Sequence, residues 1–167
     1  MSTFSLTPLK ALLPFPQDDT THDTRLNQLL TQAEESLSAP NGMTRFIIGT
    51  SKITFTPTGD YTRLPVTIII DYIPLTTIDK VYVIRNGTET AIPFTSNNQI
   101  DEINITLTQA LEEGERLIIE ATGGFTEETA PPKLKFIAYQ IAALRFFNPD
   151  PSNQNIPQEI HNQINAL

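Results

Sequence analysis

Residues 133–147 read KLKFIAYQIAALRFF, and 11 of these 15 residues are apolar. Wound as a helix, Leu134, Ile137, Ala138, Ile141 and Leu144 form one stripe. Phe136, Tyr139, Ala143, Phe146 and Phe147 form a second stripe on the opposite side. A surface helix needs one apolar face, whereas a helix apolar on two sides must be covered on both. One stripe is expected to meet another helix of the chain. The other needs the sheet or a neighbouring copy, which marks those five residues as a candidate oligomer or core interface.

The helix for the first stripe lies near the other end of the chain. Leu26, Leu29, Leu30, Ala33 and Leu37 recur at helical spacing, which predicts a helix over 20–38. It stops at the breaker cluster Ala39-Pro40-Asn41-Gly42. A shorter helix is expected earlier, with Thr7 as cap, Pro8 at its first position and Leu9, Leu12 and Leu13 on one face. Beyond the long apolar helix and a loop over 148–155, Pro157 can begin a last short helix. That segment carries Ile156, Ile160, Ile164 and Leu167, candidate docking residues or simply core.

The middle of the chain is composed differently. Isoleucine occurs 20 times, with 15 of those between residues 45 and 125, and threonine 23 times. Branching at Cβ suits a pleated surface, so this stretch reads as sheet. Strands are expected over 46–55, 64–72, 78–85, 89–94, 103–107 and 116–122. Asn86-Gly87 between two of them supplies the positive φ angles of a tight hairpin turn. Val66-Thr67-Ile68-Ile69-Ile70 lacks alternation after Thr67, which suggests a strand covered on both faces. The fold class is therefore α+β. Residues 1–44 and 126–167 should form a small antiparallel helical bundle, with 45–125 a central antiparallel β-rich insertion containing hairpins.

Composition removes several classes of function. There are no cysteines, and only two histidines in 167 residues, so thiolate chemistry and a multi-histidine metal site are excluded. The net charge of −8 opposes binding to DNA or an anionic membrane by counterion release. No apolar run is long enough for a membrane span, and the first residues lack a secretion signal, so a soluble intracellular protein is expected.

Candidate chemistry is sparse. Asp18, Asp19, His22 and Asp23 could hold a divalent metal, but acids before a helix more simply cap its N–H groups. Gly123-Gly124 reads as a turn, because residues 126–132 separate it from the next helix. The acidic pairs Asp101-Glu102, Glu112-Glu113 with Glu115, and Glu127-Glu128 read as solvated loops. The nucleophile elbow, the phosphate loop and the dinucleotide fingerprint are all absent. No catalytic, metal or cofactor site is assigned, and no enzymatic activity is expected. Two rival readings remain, a ligand-binding β-module such as a carbohydrate-binding sandwich and a small metal-dependent hydrolase. The first lacks tryptophan for stacking on sugars.

Taken in order, several segments resemble the head–tail connector (adaptor, or head completion) proteins of long-tailed bacteriophages and related gene transfer particles. They are Thr7-Pro8-Leu9-Lys10-Ala11-Leu12-Leu13, the acids at 18–23 and the leucines at 26–30 with Ala33-Glu34. They continue through Pro74-Leu75-Thr76-Thr77-Ile78-Asp79-Lys80-Val81, the Asn86-Gly87 turn, Glu120 to Phe125, and Pro131 to Leu144. Two features depart from that pattern. The helix ends Arg145-Phe146-Phe147-Asn148 instead of with a tyrosine and an arginine, and the strand-rich middle is longer than in compact members. The resemblance implies a virion neck protein, a homo-oligomeric ring of commonly twelve copies beneath the portal protein. Such a ring extends the DNA channel, binds a neck or tail completion protein, and lets DNA pass without specific binding.

Overall fold

The computed structural model describes residues 2–39, 42–98, 103–149 and 156–167. The chain divides into two compact units, Met1–Thr44 with Phe125–Leu167, and Arg45–Gly124. Among the described residues the first contains four helices and the second two antiparallel sheets, so the fold is α+β.

The helices of the first unit are α1 (Leu6–Lys10), α2 (Asp23–Leu37), α3 (Pro132–Phe147) and α4 (Gln158–Ile164). Four of the five residues of the expected α2 stripe, Leu26, Leu30, Ala33 and Leu37, are buried, Leu29 is half-buried, and α2 packs on α3. Leu134, Ile137, Ala138 and Ile141 of α3 are buried in turn, each large side chain contributing about 1.5–3 kcal/mol. Helix α1 differs from expectation. It starts after Ser5, places Pro8 third in the helix, and leaves Leu12 exposed because the helix stops at Lys10. Pro8 still falls in the first turn, where N–H groups lack helical partners, so its missing donor costs nothing. Of the breaker cluster, Pro40 and Asn41 lie outside the described residues, as do residues 150–155 of the expected loop. Beyond the cluster, Met43 and Thr44 donate N–H bonds back to Ser36 and Leu37.

The strands of the second unit are β1 (Ser51–Phe55), β2 (Val66–Ile70), β3 (Leu75–Arg85), β4 (Thr88–Ala91), β5 (Phe94–Asn98), β6 (Ile103–Leu107) and β7 (Leu117–Gly123). They form a four-stranded sheet in the order β1-β7-β3-β4 and a three-stranded sheet in the order β2-β6-β5. Val66, Ile68, Ile70, Ile103, Ile105 and Leu107 from one sheet share a core with Val81, Val83, Leu117 and Ile119 from the other. The Asn86-Gly87 hairpin is as expected: Arg85 pairs with Thr88, and the two turn residues have φ of 51° and 76°.

Three strand expectations are corrected. Residues 46–55 do not form one strand: Phe46 makes a bridge to Ile73, Gly49 turns at φ 79°, and β1 begins at Ser51. The segment 89–94 splits between sheets. Ile92 still donates to the Val81 carbonyl, but Pro93 has no N–H to continue the ladder, and the chain passes into β5. Strand β2 is not covered on both faces within the chain, since Ile69 is 61% exposed. Gly123 ends β7 rather than making a turn, and a Cβ there would stand 2.1 Å from the Pro74 carbonyl oxygen.

Candidate assembly surface

The second stripe of α3 is only partly left for another molecule. Tyr139 is 5% exposed because the N-terminal residues cross it, with the Phe4 ring edge-on at 6.3 Å. That crossing is held by Glu34 of α2. Its carboxylate accepts the Ser2 hydroxyl at 2.6 Å and the N–H groups of Thr3 and Phe4 at 2.8 and 2.9 Å. The Ser5 N–H donates to Glu127 at 2.7 Å. A buried carboxylate is tolerable only with such donors. Burial pushes the Tyr139 phenol above its ordinary pKa, with the Glu127 charge adding to it. Tyr139 is thus a core residue of its own unit, covered neither by the sheet nor by a neighbouring copy, the two covers its stripe was expected to need. Its cover comes from a segment 135 positions earlier in the same chain.

At the far end of α3 the chain supplies a second cover. Phe146 lies 5.8 Å from Phe15 and 5.6 Å from His22, with the Arg25 guanidinium 4.9 Å over its ring. Phe146 is thus half-buried within its own unit. Phe136 and Phe147 remain 46% and 54% exposed, and Ala143 is half-buried. Phe147 and Ala143 line a groove of about 350 Å³ with Leu12, Leu144 and Ile160. In α4, Ile160 and Ile164 turn inward, while Ile156 and Leu167 stay half-buried. Of the four candidate docking residues, Ile160 and Ile164 are therefore core, the other of the two readings the sequence left open.

The acidic residues near α2 do not converge. His22 lies 5.4 Å from the Phe15 ring, and Asp23 pairs with the buried Lys10 at 2.7 Å, linking α1 to α2. Asp19 accepts the Thr21 N–H at 2.8 Å, and its contact with Thr21 holds its carboxyl below the ordinary range. Neither caps α2 through its side chain, since the cap position is His22 and makes no such bond. No group of three or more potential ligands lies together among the described residues, so the metal-site reading loses its geometry. Glu115 is also not solvated as expected. It grips Arg85 through both oxygens, tying the hairpin to the start of β7, and the guanidinium holds its carboxyl below the ordinary range. Asp101 and Glu102 lie outside the described residues. The carbohydrate-module reading finds no platform either: Tyr61, Tyr82 and Tyr139 are buried, and Tyr72 packs edge-on against Phe55.

No protein-family model and no curated protein matches the sequence. Solved structures do share the fold. A chain from the neck of an empty gene transfer agent particle, computed with C6 symmetry, superposes with a TM-score of 0.69 at 15% identity, covering 98% of this chain and 88% of that one. A chain from the virion of the native particle gives 0.65 at 16% identity, covering 95% and 87%. A chain from the native neck, computed with C12 symmetry, gives 0.59 at 14% identity, covering 96% and 86%. The protein therefore has the fold of neck and virion components of a phage-like particle.

Proposed function

We propose that this protein is a structural neck component of a phage-like particle, a head–tail connector that acts by assembly and carries out no reaction. The observation that carries this reading is the likeness to a neck chain over 98% of the sequence, strands and helices alike. In this reading twelve copies form a ring beneath a portal protein and extend the DNA channel. The ring then receives a neck or tail completion protein. The helical unit is the bundle and residues 45–124 its β-rich insertion. The net charge of −8 suits passage of DNA, because an acidic wall repels phosphates. Phe136, Phe147 and Leu12 serve as contact residues, with Ile156 and Leu167 beside them for the portal. Tyr139 and Phe146 belong to the helical core.

Native mass spectrometry and electron microscopy of the full chain, alone and mixed with the portal protein of the same particle, test the reading. Rings of one stoichiometry, alone or on the portal, are the expected result. A strict monomer that ignores the portal at high concentration would overturn it.

A further inference from the structure

The two sheets defend their edges differently. An edge strand presents a row of unpaired N–H and C=O groups, and proteins blunt it with charge, proline or bulges. The four-stranded sheet follows that rule. Its edges β1 and β4 carry Lys52 and Glu89, Glu89 is paired with Lys80, and the β3–β7 ladder contains two register shifts. In the three-stranded sheet β6 is paired on both sides, while β2 and β5 are each paired on one side among the described residues. Its strands read VTIII, INITL and FTSNN, with no charged residue and no proline, in a chain with 11 basic and 19 acidic residues. The outer face shows uncharged rows, Thr67–Thr106–Thr95 and Ile69–Asn104–Asn97.

We propose that these bare edges join copies of the chain, β5 of one molecule pairing with β2 of the next to continue one sheet through the assembly. The proposal rests on the ring reading and names the surface that would build it. The occupant is a second copy because charge selects it. A molecule of net charge −8 is repelled by its twin over most of its surface, and least where that surface is neutral. The two edges also match in length, at five residues each. Both flank β6 in antiparallel fashion, so β2 and β5 run in the same direction. A rotation about an axis along the strands then sets β5 parallel to the neighbour's β2. Such a contact uses two different surfaces, and it closes into a ring when the rotation divides the circle.

The absence of cysteine makes the test clean. Thr67→Cys combined with Thr95→Cys places thiols on the two edges of one row. Within a molecule they stand two strands apart, roughly 10 Å, which exceeds the reach of a disulfide. Ile69→Cys with Thr95→Cys covers a register slipped by two. The full chain is oxidised at high concentration, and the assembly state of the unmodified chain is read in parallel by native mass spectrometry. A covalent ladder beyond the dimer from either pair supports the proposal, as does its loss when Ile69→Lys is added to the Thr67/Thr95 pair or Thr67→Lys to the Ile69/Thr95 pair, charging the β2 edge. Rings without any ladder overturn the edge contact and leave the ring reading standing. A ladder without rings does the reverse. Thr67→Cys alone giving as much dimer as the pair gives ladder would reveal β2 pairing with β2, and overturn the proposal.

Discussion

Glu34 is 5% exposed, yet it serves three donors from residues 2–4, so one carboxylate decides whether the N-terminal residues lie on α3. Glu34→Ala is expected to cost about 1–3 kcal/mol in chemical denaturation, because the Thr3 N–H loses its acceptor and the Phe4 N–H keeps only the Ser2 hydroxyl at 3.1 Å. Amide exchange at Thr3 and Phe4 should accelerate at the same time. Unchanged exchange there would show that Phe4 alone holds the segment. Glu115 and Asp79 make a prediction about acid. Arg85 lowers the first carboxyl, and the hydroxyls of Thr122 and Thr77 lower the second. The unfolded chain then binds more protons, so both groups stabilise the fold above the ordinary carboxyl range. That stabilisation disappears as the pH falls through their depressed values. Thermal melts from pH 6 to pH 3 should fall less steeply for Glu115→Gln than for the unmodified chain, and an identical slope would refute the assignment.

Among elements, the β3–β4 hairpin and the end of β7 both depend on glycine, for different reasons. Gly87 has φ 76° with open space where a Cβ would stand, so Gly87→Ala costs only the left-handed strain, about 1–2 kcal/mol. Gly124 combines φ 129° with the Gly49 carbonyl oxygen 1.9 Å from a Cβ position, and the obstacle is backbone. Gly124→Ala should therefore lower the melting temperature clearly more than Gly87→Ala, and the reverse order would mean the close approach relaxes freely. The Asn86-Gly87 turn was legible because its signal is local and conformational. So was the α2 stripe, whose period survives any partner. Strand β5 was not, since FTSNN lacks alternation and has Thr95 as its single branched residue, and it is ordered by pairing with β6. The cover over Tyr139 escaped for a related reason: the periodicity of α3 states that a face is apolar, not that Phe4 will lie on it. Three acids and a histidine near α2 suggested ligands or caps by proximity in sequence, and only the folded structure separates Asp23 toward Lys10 from His22 toward aromatic rings.

At the scale of the whole molecule, charge and contact oppose each other. Residues 1–44 carry −3, residues 45–125 carry −4 and residues 126–167 carry −1, so none of the three segments is net basic. Copies that meet through uncharged strands and exposed Phe136 and Phe147 gain backbone hydrogen bonds and apolar burial, and they lose free energy to mutual repulsion. Salt weakens only the repulsion: the screening length falls from about 30 Å at 0.01 M to about 3 Å at 1 M. Self-association measured by sedimentation should therefore strengthen from 0.01 M to 0.5 M salt. Assembly built on ion pairs between copies would behave in the opposite way, because the same screening removes its attraction. A rise with salt that is lost in Ile69→Lys locates the uncharged contact on the β2 edge, whereas a fall with salt in the unmodified chain would show that charged residues hold the copies together.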